Sequence, residues 1–217
     1  MKRLVQACMC LCLSLSMVAL GGCSLLSGSS RDPVTIYSPD VRVTPDPGWP
    51  QVAWQLTIVK PNASRLVDSP RINVRPVPGE LQVYHGASWA QPATDMVESA
   101  VVRAFEDSQR IGGVGRSSDG IRADYRLVLD LRRFESDYAG QPLPSATVEL
   151  NAKLLHSSDQ HVVGSRTFLV ATPASATDVG SVAAAFEVSL RQATHDLVGW
   201  TLLTGQQDAV SAGNVRR

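Results

Sequence analysis

The sequence predicts an α+β domain: a two-layer sandwich in which a mostly antiparallel or mixed sheet carries two amphipathic helices on one face. Three observations carry this reading. Two stretches, about 92–109 and 178–203, repeat their apolar residues at three- and four-residue steps. Between and before them lie runs that alternate apolar and polar residues, the period of a strand with one packed and one wet face. Two apolar helical stripes then need an apolar surface to cover, and the sheet offers one.

The elements follow in order. Residues 39–50 carry Pro39, Pro45, Pro47 and Pro50, so they form an extended connector rather than a helix. Strand character begins at 51–59, where Val52, Trp54, Leu56 and Ile58 alternate with Ala53, Gln55 and Thr57. Residues 71–76 and 81–85 flank Pro78-Gly79, a hairpin signal. In the first helix Met96, Val97, Ala100, Val101, Ala104 and Phe105 form the stripe, and Gly112, Gly113 and Gly115 are expected to end it and open a loop. Three long strands are predicted at 123–134, 145–156 and 161–171. Their connections, 136–144 and 157–160, are short enough for an antiparallel meander. Burial on both faces is expected near Phe168, where the alternation is less clean. The last helix has Val182, Phe186, Leu190, Ala193, Leu197 and Trp200 on one side, with Thr177 or Asp178 as its cap. Residues 205–217 are polar and stripeless, and are expected to be a disordered tail.

All four cysteines, Cys8, Cys10, Cys12 and Cys23, fall in the first 23 positions. Lys2 and Arg3 precede an apolar run over 4–20, and small residues stand at its exit, the pattern of a secretory leader. Polar linker rather than a basic stop follows, which argues against a permanent transmembrane helix. The exit reads Leu20-Gly21-Gly22-Cys23, a match to the bacterial lipobox, in which the cut falls before a cysteine diacylated on sulfur. The expected organisation is therefore a leader at 1–22, a lipidated Ser- and Gly-rich tether at 23–32, one domain at 33–204 and the tail at 205–217. Two or more acyl chains hold a protein on a membrane, whereas one does so only marginally. Ser24 in place of an aspartate favours sorting to the outer membrane. Without a mature thiol there is no disulfide framework, so packing alone must hold the fold.

Of the 20 Lys and Arg residues two leave with the leader, so 18 basic groups face 20 acidic ones. No basic field of the kind that nucleic acid needs remains. His85, His156, His161 and His195 show no metal-ligand spacing, and His156 and His161 flank a turn where exposed histidines are common, so a structural or solvated role is expected of them. The "GVGRSSDG" stretch lacks the frame of a nucleophile elbow, and "IGGVGR" follows a helix rather than a strand, so it is no dinucleotide fingerprint. No catalytic residue, cofactor or metal is therefore assigned, and an enzyme is disfavoured.

Several segments together resemble the ABC-type transport auxiliary lipoproteins, the group that includes the paraquat-inducible protein C lipoproteins. They are "TIYSPDVR", "SPRINVRPVPGELQVYHGASWAQPATDMVESAVVRAFEDS", "ADYRLVLDLRRFE", "SRTFLV" and a closing Ala-rich helix ending "LVGW". Arg71, Tyr84, Trp89, the Asp124-Tyr125 pair and Phe134, with the lipobox, make the combination specific. The resemblance implies a non-enzymatic subunit of a system that moves phospholipid or another hydrophobic compound between two membranes. Its partners would be a protein with mammalian-cell-entry (MCE) domains and an inner-membrane permease and ATPase. The lipoprotein would sit on the periplasmic face of the outer membrane and supports membrane integrity; a homo-oligomer is compatible with this role. Tyr84 and Trp89, at the junction into the first helix, are the expected partner-binding residues, set against the alternative that they only pack that junction. The competing function is an outer-membrane assembly factor or pilotin-like lipoprotein chaperone.

Overall fold

A computed structural model describes residues 33–215. The leader, Cys23 and the tether lie outside the described residues. The order is β1 (Thr35–Tyr37), β2 (Val52–Ile58), β3 (Asn62–Ala63), β4 (Arg71–Arg75), β5 (Gln82–Trp89), α1 (Ala93–Ser108), β6 (Ile111–Arg116), β7 (Tyr125–Asp137), β8 (Ser145–His156), β9 (Val162–Pro173) and α2 (Val179–Val215).

The nine strands of the described residues form one mixed sheet. β7 is its spine. Along one edge β8 pairs antiparallel from Tyr125↔His156 to Asp137↔Ser145, and β9 pairs antiparallel with β8, which completes the expected meander. Three short strands share the other edge of β7, each parallel to it. β2 takes Tyr125–Leu127, β3 takes Asp130–Leu131 and β4 takes Glu135–Asp137. β6 lies outside β2, β5 outside β4, and β1 outside β5. The β4–β5 hairpin is the one that Pro78-Gly79 signals, and Gly79 adopts φ 87°, a conformation natural to glycine.

The alternation in β7 holds and then reverses. Tyr125, Leu127, Leu129 and Leu131 face the core; Phe134 and Ser136 do so afterwards. The pairing shifts between Leu131↔Leu150 and Arg133↔Glu149, so Arg132 is an inserted bulge residue that flips the register of faces. In β9 the expected double burial is not found. Phe168 faces the core at 5% exposure, while its neighbour Leu169 is 60% exposed.

The core is a single cluster that takes in one sheet face and the stripes of both helices. α2 packs on β8, β9 and α1, and α1 packs on β6. At its centre the Phe134 and Phe186 rings stack at 4.7 Å, and Trp89 meets Phe186 edge-on at 5.2 Å. Asp178 caps α2: its carboxylate accepts from the Ser181 amide (2.9 Å) and hydroxyl (2.7 Å).

Two sequence expectations are corrected here. α1 ends at Gln109, in the left-handed conformation at φ 52°, and the glycines beyond it are not loop but strand β6. They are needed there because a Cβ on Gly112 would stand 2.7 Å from the Ala53 carbonyl oxygen of β2. The second correction is that α2 does not stop near 203 but continues to Val215, so residues 205–215 are helical rather than a disordered tail. Leu202 is buried, Ala209 packs against the core and Asp208 is hydrogen-bonded to the sheet, so tertiary contacts hold turns that their composition alone would not.

Where α2 crosses the tryptophans it does so through glycine. A Cβ on Gly199 would lie 2.6 Å from Trp49 Nε1, and one on Gly205 2.6 Å from Trp54 Cζ2. Alanine in a helix interior is ordinarily favoured over glycine by about 1 kcal/mol. We expect Gly199→Ala and Gly205→Ala to lower the melting temperature all the same, and Gly213→Ala, which meets nothing within 4 Å, not to lower it. A rise in melting temperature for either of the first two would show that the helix does not sit so close.

Candidate functional site

The two residues expected to bind a partner part company. Trp89 is 2% exposed and wedged against Phe134 and Phe186. It cannot present its ring to a partner, which corrects that expectation; it packs the junction between β5 and α1. Tyr84 is half-buried. Its hydroxyl lies 3.1 Å from Ser136 Oγ, and burial pushes its pKa above the usual 10.0. It sits near a dense ionic group. The Glu135 carboxylate, 3% exposed, takes a two-pronged bond from Arg75 (2.8 and 2.8 Å) and a third from Arg133 Nε at 2.7 Å. Arg133 also reaches Asp137. Burial favours the protonated acid, yet the two guanidinium groups outweigh it and hold the Glu135 pKa below its ordinary value.

The other end of β7 carries a feature the sequence reading missed. A cleft of about 720 Å³ opens where β2, β7, β8 and the last turns of α2 meet. Trp54, Tyr125, Arg122, Asp124, Ser157 and Ala209 are among its lining residues. Asp124 ties the three strands together: its carboxylate accepts from the Gln55 amide (2.8 Å), its amide donates to the Gln55 carbonyl (3.0 Å), and its carbonyl accepts from the Ser157 amide (2.8 Å). Trp54 and Tyr125 meet edge to face at 5.0 Å. Asp208 Oδ2 accepts from the Tyr125 hydroxyl at 2.8 Å and lies 2.6 Å from His156 Nε2. Burial raises the Asp208 pKa, but the bonds from His156 and Tyr125 prevail and hold it below its ordinary value. Burial first, and the bond to Asp208 second, push the Tyr125 hydroxyl well above its usual range.

This Tyr–Asp–His arrangement fastens α2 to the sheet. The imidazole Nε2 and the phenol hydroxyl are both spent on one carboxylate, and Nδ1 stands 3.8 Å from Asp159. Among the described residues no hydroxyl nucleophile is hydrogen-bonded to His156, the contact that activates one. Among them, too, no group of three or more His, Cys, Asp and Glu could hold a metal. His156, expected to be structural or solvated, is a fastening residue; His195 lies against Trp49 at 5.0 Å. Asp208 escaped notice because it stands in the polar tail. The signal that could have found it is the continued spacing of Val198, Leu202, Gly205 and Ala209 at helical steps. Asp208→Ala should leave residues 205–215 exchanging amide protons far faster while the meander keeps its protection. Unchanged exchange there would show that the carboxylate does not hold the helix end.

The fold and its sites define a small α+β domain built around packed aromatics and salt-linked sheet ends, with a side cleft. The chain belongs to the family of ABC-type transport auxiliary lipoprotein components, whose family model matches residues 35–198. Protein XCC0632 from Xanthomonas campestris, of known crystal structure, is 70% identical; the match covers 81% of this chain and 99% of that one, with a TM-score of 0.79. A second crystal structure, of an uncharacterized protein, is 11% identical over 76% of this chain and 97% of that one, with a TM-score of 0.60, and shares the fold alone. The uncharacterized protein bll6063 of Bradyrhizobium diazoefficiens is 26% identical over 148 residues, 68% of this chain. The match spans only 39% of that relative's length. Asp208 and Ala209 lie beyond the residues that the family model matches.

Proposed function

We propose that this protein is a non-enzymatic, outer-membrane-anchored subunit of an ABC/MCE-type transport system that moves lipid or another hydrophobic compound between the two membranes. The observation that carries the reading is the family match from β1 into α2. Cys23 carries the acyl chains, residues 24–32 form the tether, and the domain faces the periplasm, where an MCE-domain protein connects it to an inner-membrane permease and ATPase. Two features support contact through a protein surface. No described helix is long and apolar enough to cross a membrane. The near balance of 18 basic and 20 acidic groups after the leader gives little electrostatic pull toward anionic lipid. The stretch of β5 around Tyr84, which lies before the Ala87–Trp89 part that β1 pairs and has Val83 exposed beside it, is the surface proposed for the partner, since strand edges accept extended segments.

Two experiments test the reading. Mass spectrometry of the membrane-extracted protein should find Cys23 acylated and N-terminal, and Cys23→Ser should abolish both; an unmodified peptide spanning Gly22-Cys23 in the wild type contradicts the anchor. Deletion of the gene, together with redundant transporters, should sensitise cells to membrane-damaging agents. A normal permeability barrier in that strain contradicts the transport role.

A further inference from the structure

The geometry points to the cleft beneath the end of α2 as a binding site for an anionic amphiphile: an oxoanion of the phosphate or carboxylate class, joined to a short apolar group. This inference does not depend on the transport reading.

The cleft's volume, about 720 Å³, is that of a small-molecule site. Its polar inventory is unbalanced. Two carboxylate oxygens at the cleft are committed: Asp124 Oδ2 to the Gln55 amide, and Asp208 Oδ2 to Tyr125 and His156. The donors are not. Five buried side-chain polar atoms among the described residues lack a hydrogen-bond partner, and two belong to residues lining this one cleft, Trp54 Nε1 and Ser157 Oγ. Buried polar groups are nearly always paired, so two orphans at one cleft ask for a missing partner. A seryl hydroxyl re-aims by rotation about one side-chain torsion. Trp54 is 8% exposed, so its indole N–H cannot turn to bulk water for its bond. Arg122, an exposed lining residue, makes no ion pair with any described residue. Unmet donors beside a free guanidinium select a ligand rich in acceptor oxygens and negative charge.

The apolar half of the site comes from the other lining groups. Trp54 and Tyr125 set two aromatic rings at the cleft, and Ala123 and Ala209 leave room beside them. A fully hydrated ion has no use for that surface, whereas an acyl or alkyl stub does. The wall bearing Ala209 belongs to the turns that Asp208 fastens, so the site exists only while that fastening holds.

The test uses the domain from residue 34, which is one compact unit in this chain and whose 70%-identical counterpart forms the crystallised chain of XCC0632. ¹⁵N-labelled domain is titrated with n-dodecyl phosphate below its micelle concentration, with inorganic phosphate and with n-dodecyl maltoside. Dodecyl phosphate should bind saturably, one per chain, and move the Trp54 indole N–H and Ser157 amide resonances. Inorganic phosphate should bind at least tenfold more weakly, and the maltoside should move neither resonance. Arg122→Gln should raise the Kd for dodecyl phosphate at least tenfold, Ala209→Glu should abolish binding, and Arg65→Gln, in an exposed loop, should change nothing. The proposal is overturned if the Trp54 and Ser157 resonances stay still. It is overturned equally by phosphate binding as well as dodecyl phosphate, by the maltoside binding as well, or by Arg122→Gln binding like the wild type.

Discussion

Phe186→Ala is expected to remove about 3–5 kcal/mol from the free energy of unfolding, the usual cost of truncating a fully buried phenylalanine to a cavity. Phe186 is 0% exposed, stacks on Phe134 of β7 and receives the edge of Trp89 from β5. One ring therefore joins α2 to two parts of the sheet. The remaining two rings lose aromatic pair interactions as well as area, and neither can fill the space without leaving its own strand. Arg191→Ala, one turn along on the exposed side, breaks only an i,i+4 pair with Glu187 at 2.7 Å. That pair is more than a third exposed, and its loss should stay within about 0.5 kcal/mol. Chemical denaturation checks both. Equal midpoints would show that the stripe on α2 is assigned to the wrong side.

Glu135→Ala should cost a comparable amount, about 3–5 kcal/mol, for an electrostatic reason. The carboxylate is 3% exposed and answers two guanidinium groups, Arg75 from β4 and Arg133 from its own strand. Removing it leaves both cations half-buried beside each other, with only Asp137 to share. Glu135→Gln keeps the shape and removes the charge, so it should recover only part of the loss. The same site sets a pH dependence. The folded-state pKa lies below the ordinary value of 4.5, so the folded protein holds its proton less tightly than the unfolded chain. The stability from this group is fully present above about pH 4.5 and is lost as pH falls through the lower folded value. Unfolding free energies measured between pH 7 and 3 should fall less steeply in Glu135→Gln than in the wild type. Parallel slopes would show that Glu135 is not the group responsible.

Where the sequence foretold the fold, it did so through period. β8 alternates along its length, β7 does so as far as Leu131, and α1 and α2 repeat apolar residues at helical steps, so the existence and order of these elements were legible, while the looser alternation of β9 hid which of its faces packs. β6 was hidden because three of its six residues are glycine, which carries no alternation, and because its partner β2 lies more than fifty residues away. β1 and β3 are too short to show a period. The end of α2 was hidden because its stability is tertiary, resting on Gly205 against Trp54 and Asp208 against Tyr125 and His156. Trp89 could be read as surface or core, and what decides between them is Phe134 and Phe186, 45 and 97 positions downstream. The cleft was out of reach for the same reason, since its walls come from four separated segments.

The measurement that bears most directly on the central claim is photo-crosslinking in intact cells. A photoreactive amino acid is placed at the exposed Val83, beside Tyr84, in the full-length chain with Cys23 intact, and the crosslinked products are identified by mass spectrometry from the outer-membrane fraction. Our account predicts a crosslink to an MCE-domain protein, lost when the reactive group is moved into the core at Phe186. Recovery of a secretin or barrel-assembly protein in its place, or of the chain in the inner-membrane fraction without any MCE-domain protein, would contradict it.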